Sequence, residues 1–196
     1  MINETIEYYN NNADDFYEGT VNADMSELYA RFEKHLNAGN LVLDCGCGSG
    51  RDSRYFLDKG YEVEAIDASH ELCKKAENLI GKSVKCMLFE DISDIDKYDG
   101  IWACASLLHE DKAKLASVIK KLETAIKPSG AIYMSFKYGD FCGNRNGRYF
   151  VNLTEESLET ILGGNCNLKV IDKWITGDVR EGRESEKWLN VIVKKY

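Results

Sequence analysis

Leu41-Val-Leu-Asp44-Cys-Gly46-Cys-Gly48-Ser-Gly50-Arg-Asp52 decides the fold of this chain. An apolar run ends in an acid, glycines follow on alternate residues, and a helix-like stretch begins at position 51. The pattern reads as a buried strand entering a turn where the backbone must approach a ligand closely, because glycine accepts positive φ and carries no Cβ. The dinucleotide fingerprint G-x-G-x-x-G would seat a pyrophosphate on the helix that follows. Here the glycines fall at 46, 48 and 50, with Arg51 next, and Asp44 sits two residues before the first of them. A carboxylate at that point repels a pyrophosphate. It suits a ligand with a cationic amino group and no phosphate.

The second signal lies downstream. Tyr61-Glu-Val-Glu-Ala-Ile66 reads as another strand, ending at Asp67 and Ala68. An acid about 20 residues after a glycine loop commonly takes the ribose hydroxyls of an adenosine ligand. Ser69 can then cap a helix with Leu72, Ala76 and Leu79 on one face. An adenosine ligand with an amino group and no phosphate describes S-adenosylmethionine.

These residues, with Tyr98-Asp-Gly-Ile101-Trp-Ala-Cys-Ala105-Ser106-Leu-Leu-His109, resemble the strand ends of the class I S-adenosylmethionine-dependent methyltransferases. The similarity spreads over about 40–193 and is specific for fold and cofactor, much less so for substrate. It is similar in particular to the small bacterial members grouped with tellurite-resistance methyltransferases, although no residue points to a metalloid. The resemblance implies a seven-stranded sheet, S-adenosylmethionine as cofactor and S-adenosylhomocysteine as product. It places Asp44, Gly46, Gly48, Gly50, Asp67, Ala68 and Ala105 around the cofactor. The branch that methylates nucleobases and glutamine amides carries Asn/Asp-Pro-Pro-Tyr/Phe after strand four. This chain has Ala103-Cys-Ala-Ser106, which argues against that branch.

Bulk properties set outer limits. A chain of 196 residues is most simply one domain: a helical lid over 1–39 and a Rossmann-like core over 40–196. The net charge of -8 argues against a protein living on nucleic acid, which needs a basic surface. No apolar run approaches the length of a membrane span, and the acidic N-terminus lacks a signal-peptide pattern. The seven cysteines include no C-x-x-C; they read as reduced thiols of a cytoplasmic protein, with no metal site expected. The oligomeric state is left open.

Strands are predicted at 41–45, 61–66, 84–88, 98–104 and 131–136, with helices at 26–37, 51–59, 70–80 and from Asp111 to about 126 between them. A polar loop is expected over 137–152 and a helix capped by Thr154, ended by Gly163-Gly164. Final strands at 168–175 and 188–194 have no helix between them. The predicted fold is therefore α/β, a doubly wound, Rossmann-like, seven-stranded and mostly parallel sheet with an antiparallel edge. Ligands bind such sheets at the carboxyl ends of the strands.

Methyl transfer is a displacement that needs alignment, exclusion of water, and a base only when the nucleophile arrives protonated. His109, a few residues past strand four, is the candidate catalytic base. Tyr8-Tyr9 and Phe16-Tyr17 suit a lid, so Tyr9 and Tyr17 are placed on the cofactor, and Arg31 is offered for its methionine carboxylate. Phe89 is offered as the ring against adenine and Glu90 or Asp91 as the acid at its edge. The 137–150 and 176–187 loops concentrate Lys137, Arg145, Arg148, Arg180 and Arg183 on an acidic chain. Arginine forks bind carboxylates bidentately, so Arg148, Arg180 and Tyr149 are assigned to an anionic or zwitterionic small-molecule substrate. The alternatives are methylation of RNA or protein through the same basic loops, and a binding module that holds the cofactor without turnover.

Overall fold

The computed structural model describes residues 2–163, 167–180, 182, 183 and 185–196. Among the described residues nine strands run β1 Leu41–Cys45, β2 Glu62–Asp67, β3 Lys85–Cys86, β4 Tyr98–Ala103, β5 Ile126–Lys137, β6 Cys142–Arg145, β7 Arg148–Val151, β8 Leu168–Gly177 and β9 Lys187–Lys195. Among the same residues seven α-helices run α1 Ile2–Asn11, α2 Ala13–Thr20, α3 Ser26–Phe32, α4 Arg51–Asp58, α5 His70–Ile80, α6 Lys112–Ala125 and α7 Glu155–Gly163. The main sheet has the order β3-β2-β1-β4-β5-β9-β8, and β6 and β7 form a separate hairpin. β1 pairs in parallel with both β2 and β4, so strand order reverses at β1. The glycine loop thus opens at the switch point, where doubly wound sheets leave a crevice. β9 runs antiparallel between β5 and β8, one place in from the edge.

Side-chain alternation along the central strands feeds two cores. In β4, Ile101 and Ala103 face the cluster that holds Leu115, Val118, Ile119 and Leu122 of α6. Trp102 faces the opposite cluster with Phe32, Phe56 and Tyr133. The Trp102 and Tyr133 rings stack at 4.0 Å between centroids. Such strands lack the polar alternation of a half-exposed sheet because both faces are covered. α3 belongs to this second core through Leu28, Tyr29 and Phe32, and Ala23, Met25 and Leu28 join α1 and α2 in lining the space over the strand ends.

Several boundaries follow from local chemistry. α5 begins where Ser69 Oγ accepts the Leu72 N–H at 3.2 Å and stops at Gly81, whose φ of 68° is left-handed. β3 is shorter than expected, because Leu88 N–H turns onto the Asp91 carboxylate and starts a 3-10 turn at Phe89. β5 begins earlier than expected: Ile126 already pairs with Tyr98, and an irregularity carrying Ser129 at φ 65° precedes the Gly100–Ala131 register. The expected loop over 137–152 contains the β6–β7 hairpin. Its turn is Asn146-Gly147, with φ of 51° and 77°, the left-handed pair that a two-residue hairpin favours. Six cysteines are free thiols; Cys166, like Gly164 at the expected helix stop, lies outside the described residues.

Candidate active site

The carboxyl ends of β1, β2, β4, β5 and β8 open into one cavity, roofed by α1, α2 and the β6–β7 hairpin. From the glycine loop come Gly46, Cys47, Gly48, Ser49 and Arg51; from the end of β2 come Asp67 and Ala68. Gly46 has φ 84°, and a Cβ there would lie 2.4 Å from Ser106 Cβ. Gly48 has φ 54°, and a Cβ there would lie 3.0 Å from the Phe16 ring of α2. Gly50 is also left-handed, but it packs on Ala76 of α5 and does not line the cavity. Its part is to bring α4 against α5.

Asp67 is the organising acid of this end. Its carboxylate accepts the Gly48 N–H at 2.9 Å and the Ser69 N–H at 2.8 Å. Burial pushes its pKa up, against those backbone donors. Asp44 is 2% exposed and accepts the Ser53 hydroxyl at 2.6 Å, behind the loop rather than on the cavity wall. Burial and the nearby Asp52 push Asp44 up to about 8.

Arg51 is a wall residue that the sequence reading passed over. Its Nε and Nη2 hold both oxygens of Asp52 at 2.6 and 2.9 Å, and Asp52 also accepts the Trp102 indole N–H at 2.8 Å and the Tyr29 hydroxyl. The guanidinium is thereby fixed at the start of α4. Its position directly after the third glycine is the signal that could have marked it. Arg31 sits elsewhere, paired with Asp172 at 3.0 Å and lying over the Trp174 ring. Tyr17 turns outward to Lys75 of α5, and the aromatic of that pair on the cavity is Phe16.

Beyond the loop, Leu88 and Phe89 line the wall, but Glu90 does not: it leaves the cavity to pair with Lys114 at 2.7 Å. Ala105 lines the wall in a left-handed conformation, φ 50°, with its N–H on Ser135 Oγ at 2.8 Å.

The other half of the cavity holds His109. Its Nδ1 lies 2.7 Å from the Tyr149 carbonyl, and its Nε2 lies 2.8 Å from the Tyr9 hydroxyl. A carbonyl only accepts, so Nδ1 carries the proton and Nε2 accepts from Tyr9. Burial, with Arg148 and Lys137 nearby, lowers the His109 pKa to about 4. Tyr149 thus contributes its backbone; its side chain is buried against Cys142 and is not on the wall.

The cations divide into two kinds. Arg180 is gripped by Asp178 at 2.9 and 2.6 Å, and Lys137 is paired with Glu186. Arg148 pairs with no carboxylate among the described residues. It lies over the Tyr8 ring at 4.5 Å and near Phe150 at 5.2 Å, and its buried Nε has no partner. Arg183 is exposed at the cavity rim, while Arg145 lies over Phe141, away from the cavity. The expected 137–150 and 176–187 segments therefore do meet over one cavity, with positions 181 and 184 outside the described residues.

The donor set fits an adenosyl ligand with a methionine end: glycines for close approach, Asp67 for a diol and Arg51 for a carboxylate. Comparison with known proteins agrees. Residues 42–130 match the family model of a methyltransferase domain. The chain is 29% identical to YqeM of Bacillus subtilis over 119 residues, 55% of this chain and 48% of that one. It is 28% identical to an uncharacterized methyltransferase of Staphylococcus carnosus, over 71% of this chain and 75% of that one. The chain thus spans about half the length of the first relative and three quarters of the second. Among solved structures, a Burkholderia thailandensis 1,6-didemethyltoxoflavin-N1-methyltransferase superposes with a TM-score of 0.78 at 20% identity, covering 99% of this chain and 86% of that one. That structure holds its substrate and S-adenosylhomocysteine. None of these three bears the tellurite-resistance grouping.

Proposed function

We propose that this chain is a class I S-adenosylmethionine-dependent methyltransferase and that it methylates a small acceptor carrying an anionic group. The single observation behind the acceptor's charge is Arg148: a half-buried guanidinium on the cavity wall, ringed by aromatics, with no carboxylate partner and one buried N–H unmet. Leaving such a donor unpaired costs about 1–3 kcal/mol, which an incoming carboxylate would offset. The roof of α1, α2 and the β6–β7 hairpin favours a small molecule over RNA or a folded protein. No helix among the described residues is long and apolar enough to cross a membrane.

S-adenosylmethionine, when bound, would supply an electrophilic methyl on a sulfonium whose sulfur is a neutral leaving group. Gly46, Gly48 and Asp67 would hold the adenosyl end, and Arg51 the methionine carboxylate. Tyr9 closes the roof and excludes water. It also stands between His109 and the acceptor. A protonated nucleophile passes its proton to the Tyr9 oxygen while Tyr9 passes its own to His109 Nε2, and the Tyr149 carbonyl keeps Nδ1–H in place. His109 would thereby take the proton only in passing, because burial disfavours its imidazolium.

The test has two parts. Calorimetry should show binding of S-adenosylmethionine and not of NAD. Methyl transfer to a panel of small aromatic and aliphatic acids, each paired with its neutral amide, should favour the acid. Preference for the amides, or transfer only to RNA or protein, would overturn the small anionic acceptor.

A further inference from the structure

We propose that Glu110 reads the amino edge of the cofactor's adenine, a role the acids that follow β3 do not fill. The inference rests on the S-adenosylmethionine reading above and adds a residue to it.

Glu110 stands between the 3-10 turn Leu107–His109 and the start of α6, on the wall of the same cavity. It is 1% exposed. One carboxylate oxygen, Oε1, accepts the Asp111 N–H at 2.9 Å. The other, Oε2, is buried and has no hydrogen-bond partner. An unpaired buried polar atom is a cost that folded proteins rarely carry without use. At a cavity wall, its natural partner is a donor brought by a ligand.

The surroundings say which donor. Phe89 and Leu88 line the neighbouring wall, and the Glu90–Lys114 pair ties their turn to α6, whose first residues follow Glu110. Leu108 lines the cavity just before it. A carboxylate set among an aromatic ring and two leucines is a slot for a flat, apolar heterocycle with an N–H at its edge. An adenosyl cofactor offers an ammonium, a ribose diol and an adenine amino group. The diol belongs with Asp67 at the end of β2 and the methionine end with Arg51 at the start of α4, so the amino group is the donor left for Glu110. Glu90 is committed to Lys114, and Asp91 to the Leu88 N–H at 3.2 Å. Burial, which raises the Glu110 pKa, agrees with a group that lacks its partner in the free protein.

The experiment is calorimetry with S-adenosylhomocysteine and its 6-deamino analogue, which has hydrogen in place of the amino group. Wild type, Glu110→Gln and Glu110→Leu are compared, with the melting temperature of each free protein. Wild type should prefer S-adenosylhomocysteine by about tenfold or more, as expected for one bond to a charged acceptor. Glu110→Leu should bind it about tenfold more weakly and keep less than about a threefold preference, with a free-protein melting temperature no lower than wild type. Glu110→Gln, which retains an acceptor oxygen, should lie between, and it carries the test should the leucine variant fail to fold. Equal binding of the two nucleosides by wild type, or an undiminished preference in the variants, would overturn the role of Glu110 alone. Failure of wild type to bind either would overturn the cofactor reading along with it.

Discussion

The two ends of the cavity are built differently. At the glycine end, the ligand-facing groups are backbone and short acids fixed by β1 and β2: Gly46 and Gly48 in left-handed conformations, and Asp67 locked by two N–H groups. At the other end the wall is assembled from long side chains on four separate segments: Tyr9 of α1, His109 after β4, Arg148 of β7 and Arg180 after β8. The first end has one arrangement available to it. The second can be re-formed by changing a lid helix or a hairpin, which is where a superfamily with a shared cofactor would vary its acceptors.

The sharpest way to break the comparison is to fill the rigid end. Gly46→Val must place a Cβ where Ser106 already stands, on a backbone at φ 84°. Gly48→Val presses the Phe16 ring of the roof instead. Both should reduce S-adenosylhomocysteine affinity by on the order of 100-fold or more, since a β-branched residue strains the left-handed backbone at either position and displaces Ser106 or the Phe16 ring from the cavity wall. Calorimetry beside a thermal melt separates lost binding from lost folding. A Gly46→Val protein that binds like wild type would mean that the ligand does not approach this loop.

Next in size is Asp67→Ala. The carboxylate both orients the Gly48 N–H and faces the cavity, so its removal should cost about 1–3 kcal/mol of cofactor binding. An affinity within about twofold of wild type would remove the ribose from this position.

The contrast also shows what was legible in the chain. Alternate glycines declare themselves because backbone geometry demands specific residue types at fixed spacing, and Asp67 lines the cavity where its strand ends, whereas Asp44, expected on the ligand, turns behind the loop to Ser53. The parallel strands β1, β2 and β4 were legible for the same reason, as apolar runs ending at polar turns. Arg31 and Tyr17 misled, because sequence shows that a residue is near the right element and not which way it points; the structure sends one to Asp172 and the other to Lys75. Glu90 failed in the same manner, drawn off by Lys114. Arg51 and the Asn146-Gly147 hairpin turn were readable in principle. The first directly follows the third glycine, and the second is the asparagine-glycine pair that two-residue hairpins favour. The unmet oxygen of Glu110 had no sequence signal, since whether an acid finds a partner is decided by tertiary packing.

At the adaptable end, Arg148 and Arg180 divide where sequence treated them alike. Arg148→Ala should raise the acceptor KM by about 1.5–3 kcal/mol in binding terms and leave the cofactor Kd unmoved, because its guanidinium has no internal carboxylate to satisfy. Arg180→Ala should have a smaller effect, since Asp178 already neutralises its guanidinium and accepts its Nε–H and an Nη2–H. The measurement is KM for an accepted anionic substrate together with the cofactor Kd of each variant. A larger effect at Arg180 would reverse the assignment.

The smallest effect expected is one of pH on stability, and it tests whether His109 is held neutral. Its folded pKa of about 4 lies below the ordinary value of 6.5, because burial beside Arg148 and Lys137 disfavours the imidazolium more than the Tyr149 carbonyl favours it. A group with a depressed folded pKa contributes stability that is fully present above its unfolded pKa and is lost as pH falls from about 6.5 through 4, where the unfolded chain binds the proton first. Between pH 7 and pH 5.5 that loss amounts to about 1 kcal/mol. Other groups titrate in the same window, so the quantity to measure is the difference between wild type and His109→Gln. Gln can keep an N–H on the Tyr149 carbonyl and an oxygen toward Tyr9, yet it does not titrate. Denaturant unfolding at the two pH values should therefore show the wild type losing about 1 kcal/mol more than the variant. Equal losses, or an imidazole that NMR finds titrating near 6.5 in the folded protein, would mean that His109 is not the buried, neutral proton acceptor described above, and that the adaptable end is wetter than its roof suggests.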